Sequence, residues 1–269
     1  MQHRSAKLLK ISLAVYSILN KSLAMRHNEY LFGIHAARQV FDHDTTRIIE
    51  LWLQQGREAE FASYATEAAV QGIPVHVMPK KTLDKLAEQG NHQGIVLRCK
   101  ALPIQDENSL AELLATLQVP PFLLVLDGVQ DPHNLGACLR TADAAGVHAL
   151  IVPKDRACGL SPTVFKVACG AAEKLPVIQV TNLARTLKFL KEQGVWLVGT
   201  TGETEQDLYS VKLTGALAIV MGTEGTGLRR LTQEACDSLV RIPMFGTVES
   251  FNVSVATGIC LYEAVRQRV

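Results

Sequence analysis

From Phe122 to its end, the chain alternates short apolar runs with helix-like segments, and no other feature constrains the fold as strongly. Leu123 to Leu126, Ala149 to Val152, Val177 to Val180, Val195 to Val198, Leu217 to Met221 and Leu239 to Ile242 read as buried strands. Each is a short apolar run bounded by turn residues. Between them lie expected helices. One runs from Asn134 to Ala145 with Asn134 as N-cap and Gly146 as its stop, and one opens at Ser161-Pro162. Another runs from Asn182 to Gln193 before Gly194, and the last from about Asn252 to Arg266. Strands and helices in alternation imply a parallel sheet with both faces covered. Such sheets bind ligands beyond the carboxyl ends of their strands.

The first half reads as a separate, smaller α/β unit over residues 28–100. An aromatic-apolar turn at Tyr30-Leu31-Phe32 leads into a helix through Phe41, followed by a strand from Ile48 to Trp52 and a helix from Phe61 to Gln71. A strand at Pro74 to Met78, a helix at Lys81 to Glu88 and a strand at His92 to Arg98 complete it. Residues 101–120, with an acidic stretch, a helix from Leu110 to Leu117 and Pro120-Pro121, are the expected linker to a second domain at 121–269. Residues 1–27 stand apart. A basic stretch before the apolar run Ile11 to Leu19 has the look of a secretory signal, though the run is too short to span a bilayer. Alternatively, Met25-Arg26-His27-Asn28 is the native beginning. On that reading this extension is disordered or absent in the cell.

Formal net charge is only +1, so bulk charge announces no polyanionic partner and any basic surface must be local. The six cysteines form no C-x-x-C pair and fit no zinc spacing. Cys138, Cys169 and Cys260 sit in apolar helical contexts, where free cysteine packs as a small core residue. A reducing compartment, no disulfide and no structural metal are expected.

Three segments place glycines and polar side chains where strands stop. The first is Asp131-Pro132-His133-Asn134-Leu135-Gly136-Ala137-Cys138-Leu139-Arg140. An arginine near a helix start is ill placed for the helix dipole, so phosphate, or Asp131 or Asp143, is its expected partner. The second is Gly222-Thr223-Glu224-Gly225-Thr226-Gly227-Leu228. It is neither a dinucleotide fingerprint nor a P-loop. Its glycines let a ligand approach the backbone, and Glu224 is either a loop carboxylate with few partners or a solvated turn residue. The third joins Ile242-Pro243-Met244 to Ser250-Phe251-Asn252-Val253-Ser254-Val255-Ala256. Ser250 or Asn252 caps the last helix, yet Ser250, Asn252 and Ser254 together exceed what a cap requires. Small residues Ala256 and Gly258 point to close helix packing, internal or against another subunit.

In order and chemistry these segments resemble the SpoU/TrmH class of SPOUT RNA ribose 2′-O-methyltransferases, over about Leu124 to Arg268. Within that class, Tyr30 to Ala36 and His92 to Ile95 are similar to the ends of a ribosomal-protein-L30-like substrate-binding domain. That domain occurs in bacterial large-subunit rRNA guanosine 2′-O-methyltransferases. The resemblance implies a parallel-sheet α/β SPOUT domain with a C-terminal trefoil knot, preceded by a small L30-like α/β domain. It implies S-adenosylmethionine as cofactor, contacted by Gly222, Ile242 and Phe251 with Thr200, Gly202 and Met244 as neighbours. The family usually has leucine where this chain has Phe251. Asn134, Arg140, Glu224, Ser250, Asn252 and Ser254 match the catalytic positions. The implied reaction is in-line methyl transfer to a ribose 2′-hydroxyl, a poor nucleophile until its proton is removed or strongly hydrogen-bonded.

Guanidinium hardly gives up a proton. Arg140 is therefore read as the anchor of the target phosphate and polariser of the hydroxyl, with Asn252 and Glu224 ordering the loops and nucleotide. The resemblance further implies a cytoplasmic homodimer acting on large-subunit (23S) rRNA, without membrane or metal. The alternatives are a tRNA ribose 2′-O-methyltransferase, an antibiotic-resistance methyltransferase of the same fold, and a non-catalytic RNA-binding protein.

Overall fold

The computed structural model describes residues 28–100, 105–223, 225 and 227–269; the expectations for residues 1–27 lie outside them. The chain divides into two units, 1–102 and 103–269.

The first unit comprises β1 (Asn28–Phe32), α1 (Ile34–His43), β2 (Ile48–Gln54), α2 (Ala62–Val70), β3 (Val75–Met78), α3 (Lys80–Leu86) and β4 (Ile95–Lys100). Its sheet has the order β1-β4-β2-β3. β4 is antiparallel to both β1 and β2, whereas β3 runs parallel to β2. Tyr30-Leu31-Phe32, expected as a turn, is therefore strand β1. The turn comes one residue later, at Gly33, whose φ of 92° a side chain would disfavour. Trp52 packs between Tyr30 and His76, with ring centroids 5.8 and 5.5 Å away.

The second unit begins with α4 (Glu107–Thr116) and β5 (Phe122–Leu126). It continues through α5 (Pro132–Ala144), β6 (Ala149–Pro153), α6 (Pro162–Ala168), α7 (Ala171–Lys174), β7 (Val177–Val180), α8 (Leu183–Glu192), β8 (Trp196–Thr200) and β9 (Leu217–Met221). It ends with α9 (Arg230–Ala235), β10 (Ser238–Val240) and α10 (Val253–Arg266). The six-stranded sheet is parallel at every pairing, in the order β10-β8-β9-β5-β6-β7. Every residue of β5, β6 and β9 is buried, as a parallel sheet covered on both faces requires.

Helix α4, expected inside a linker over 101–120, packs into this unit's core through Leu110, Leu113 and Leu114. The Glu107 carboxylate accepts the Thr181 N–H at 2.7 Å, and Gln105 bridges to Ile178. The apolar face of α4 thus outweighs the acidic composition that suggested a spacer. The N-cap of α5 is Asp131, not Asn134. Pro132 has no N–H to lose and a φ already suited to a first helical position, so the helix starts there. Asp131 then accepts the His133 N–H at 2.8 Å. Asn182, Ser161 and Asn252 cap their helices as expected.

Cys138 and Cys260 are core residues, and burial pushes their thiols up to about 11 and about 12. Cys169 is not a core residue. It is exposed at the left-handed C-cap of α6, with φ 50°. Among the described residues no cluster of metal-ligating side chains occurs, and no helix is long and apolar enough to cross a membrane.

Candidate functional site

The carboxyl ends of β8, β9, β10 and β5 open into two clefts in the second unit. Gly222, Ile242, Phe251, Thr200, Gly202 and Met244, six residues scattered over some fifty positions of sequence, all line one of them, a cleft of about 470 Å³. Thr200 ends β8, Gly222 follows β9, Ile242 and Met244 follow β10, and Phe251 precedes α10. Ser250, Glu203 and Glu249 add polar groups to the same wall. The Thr200 hydroxyl donates to the Val220 carbonyl at 3.4 Å.

Gly222 has a different reason from the one the sequence suggested. A Cβ there would lie 2.2 Å from the Gly227 carbonyl carbon and 2.4 Å from the Leu228 nitrogen. The loop folds back on its own stem, where Thr223 and Gly227 exchange N–H···O bonds at 3.1 Å each. Gly222 is needed so that this loop can close. At Gly202 a Cβ would meet nothing within 4 Å, so there the backbone is open to the cleft.

The second cleft, about 430 Å³, shares Thr223, Gly227 and Val253 with the first and adds Asp127, Asn134, Arg156 and Arg229. With the N-cap filled by Asp131, the Asn134 side chain is free for another task. Its Oδ1 accepts Asn252 Nδ2 at 2.9 Å. Asn252 Oδ1 in turn accepts the Ser254 hydroxyl at 2.6 Å and the Ser254 N–H at 3.0 Å, the latter being the N-cap of α10. Asn134, Asn252 and Ser254 therefore form one polar chain where the first turns of α5 and α10 meet. Those helices also pack together behind the site, with Thr257 fully buried and Thr141 only 3.6 Å from where a Cβ on Gly258 would stand.

Arg140 is elsewhere. It is exposed in the second half of α5, about 9 Å along the axis from Asn134, and lines neither cleft. Because the helix begins at Pro132, the dipole objection to Arg140 disappears. Its Nη1 meets the Cys169 sulfur at 3.5 Å rather than Asp131 or Asp143. Glu224 lies outside the described residues.

Sequence reasoning passed over Asp127, Arg156 and Arg229. The Asp127 side chain is wholly buried, although it stands directly after the apolar strand β5. It accepts Arg229 Nε at 2.6 Å and the Arg229 N–H at 3.0 Å, fastening the loop after β9 to the end of β5. A carboxylate directly after five buried apolar residues was the available signal, since buried charge requires a partner.

Comparison with known proteins places the chain in a family. The profile of the SpoU rRNA Methylase family matches residues 121–262. A protein of Shewanella oneidensis named 23S rRNA (guanosine-2'-O-)-methyltransferase RlmB is 59% identical over 91% of this chain and 99% of its own length. The chain belongs to the SpoU rRNA methylase family. A profile for the substrate-binding region of RNA 2'-O ribose methyltransferases matches residues 30–105, nearly all of the first unit's described residues. The Escherichia coli K12 protein of the same name as the Shewanella relative is 53% identical over 90% of this chain and 99% of its own.

Among solved structures, an RNA 2'-O ribose methyltransferase superposes with a TM-score of 0.72 at 28% identity, covering 92% of this chain and 91% of its own. An AdoMet-bound rRNA methyltransferase from Sinorhizobium meliloti has a TM-score of 0.76, covering 93% and 91%; at 24% identity it speaks for the shared fold alone.

Proposed function

We propose that this family member methylates the ribose 2′-hydroxyl of a guanosine in 23S rRNA, using S-adenosylmethionine. One observation carries the reading: a cleft lined by all six expected cofactor residues shares a wall with a second cleft holding Asn134 and two arginines. The curated relatives and the substrate-binding profile support rRNA rather than tRNA as the acceptor.

The first cleft fits the cofactor on its own chemistry. Its volume lies within the range of about 300–1,000 Å³ typical of ligand clefts. Ile242, Met244 and Phe251 offer an apolar wall for a purine, and Glu203 and Glu249 offer carboxylates for an ammonium or a ribose diol. Phe251 in place of the family's leucine keeps that wall apolar. When bound, S-adenosylmethionine supplies an electrophilic methyl group on a sulfonium.

The chain's own residues do the rest. Asn252, fixed by its cap on Ser254 and its bond to Asn134, orients the polar chain toward the acceptor cleft. Ser250 and Ser254 offer hydroxyls beside it, and Glu224 orders the loop between the clefts. Arg140 anchors the target phosphate through its guanidinium fork and polarises the hydroxyl. Because Arg140 lines neither cleft of its own chain, that role supports a homodimer in which one copy presents it to the other. Val255 and Tyr262, about half exposed one helical heptad apart on α10, support the same assembly. The reading includes a cytoplasmic location, an L30-like fold for the first unit as its RNA-binding part, and a trefoil knot near the C-terminus. Support for the knot is the return of the chain after β10 to α10, which packs on α5 and β9.

The test is transfer of labelled methyl from S-adenosylmethionine to protein-free 23S rRNA, with tRNA and Arg140→Lys enzyme as controls. Label on one rRNA guanosine ribose is expected. Arg140→Lys should lose most activity, and near wild-type activity would refute a bidentate role. Label on tRNA alone would overturn the substrate.

A further inference from the structure

The second cleft contains a cation that the fold does not use. Arg156 lines it, yet its guanidinium makes no hydrogen bond or ion pair with any described residue. The residue is held in the left-handed region, φ 60°, which a non-glycine residue adopts only when its surroundings impose it. Those surroundings are visible. The Cys158 N–H bonds the Val129 carbonyl at 3.0 Å, and the Arg156 carbonyl lies 3.4 Å from where a Cβ on Gly128 would stand. The loop after β6 is thereby pinned against the end of β5, and Arg156 is kept at the cleft.

Arg229 lines the cleft as well, held by the buried Asp127 while its side chain stays 44% exposed. The carboxylates lining the cleft are engaged: Asp127 by Arg229, Asp131 by the amide of His133 and the positive end of α5. Among the described residues the cleft thus offers guanidinium groups without a free competing anion. Its volume of about 430 Å³ suits one unstacked nucleotide, the form in which proteins single out RNA bases.

We propose that this cleft takes the unpaired target nucleotide of the RNA, with Arg156 and Arg229 on its flanking phosphates. The proposal rests on the rRNA methyltransferase reading and adds to it two substrate-binding residues on the acceptor side. Arg156 matters more as evidence, because Arg229 also has a structural task.

The full-length dimer is tested with Arg156→Gly and Arg156→Lys, measuring 23S rRNA binding from 50 to 200 mM salt. Cofactor affinity by calorimetry and thermal unfolding are measured alongside. Glycine tolerates the left-handed backbone, so the unfolding midpoint should stay or rise, and cofactor affinity should stay within about twofold. Affinity for rRNA should fall roughly tenfold or more. The slope of log affinity against log salt should shrink by about 0.7 to 0.9, one phosphate contact. Arg156→Lys should restore the slope but only part of the affinity. Wild-type affinity and slope in Arg156→Gly, with wild-type protein methylating rRNA normally, would overturn the proposal alone. Failure of the wild-type protein to bind or methylate rRNA would overturn both it and the reading beneath it.

Discussion

Gly222→Ala is the smallest change that should disable both clefts at once. The added methyl would stand 2.2 to 2.5 Å from three backbone atoms of Gly227 and Leu228, where about 3.4 Å is the closest comfortable approach. Backbone cannot rotate away as a side chain tip can, so residues 227–228 must move by about 1 Å. Two hydrogen bonds between Thr223 and Gly227 then stretch beyond use, at about 1 kcal/mol each. Leu228, only 3% exposed and part of the main core, must repack at about 1–3 kcal/mol. The sum is about 3–5 kcal/mol, or about 10 °C in the unfolding midpoint of a domain this size. Arg229 follows Leu228 directly, so its grip on Asp127 loosens too. Thermal unfolding and calorimetric titration with S-adenosylmethionine read these effects. Gly202→Ala is the matched control, since its Cβ meets nothing and its midpoint should stay within about 1 °C. A Gly222→Ala protein with wild-type midpoint and wild-type cofactor affinity would refute the reasoning.

Two further outcomes follow from the same geometry. Asn134→Ala removes an acceptor but no cap, so it should leave stability within about 0.5 kcal/mol while lowering methyl transfer about a hundredfold. Asn252→Ala, which also removes the cap of α10, should lose about 1 kcal/mol more in denaturant unfolding; equal stability loss in the two variants would contradict this division. At Glu107, the Thr181 N–H holds the carboxyl below its ordinary 4.5. A carboxyl with a depressed folded value stabilises above pH 4.5 and loses that contribution as pH falls through the lower value. Glu107→Gln should therefore lower the unfolding midpoint at pH 7, and the difference from wild type should shrink steadily as pH falls below 4.5.

The second unit was more legible in the sequence than the site within it. Leu217 to Met221 and Val177 to Val180 were readable to the residue because a strand buried on both faces must be apolar throughout, and turn residues bound it. Helix α4 was misjudged because its neighbours in sequence are acidic while its partners, Ile178 and Val180, lie about seventy residues away. Tyr30-Leu31-Phe32 was misjudged because a short edge strand takes its identity from β4, which sequence alone does not set beside it. The expected cofactor residues came from a motif, whereas Arg156 belongs to a loop whose only local signal, a left-handed backbone, does not show in the sequence.

Asn134 and Asn252 make clear why the site had to be found in three dimensions. Each looked like an N-cap, and locally each is a good one. A helix can use only one residue there, and at α5 the pair Asp131-Pro132 takes the role more firmly, because proline fixes where the helix starts. That displaced Asn134 into the first turn with its amide unspent. At α10 Asn252 does cap through its oxygen, and its amide nitrogen donates to Asn134. The two side-chain amides, 118 positions apart in sequence, meet at 2.9 Å. Capping at each helix start thus fixes where Asn134 and Asn252 stand, and the parallel sheet, by delivering both helix starts to the same edge of the clefts, brings an acceptor and a donor together as a single positioned pair.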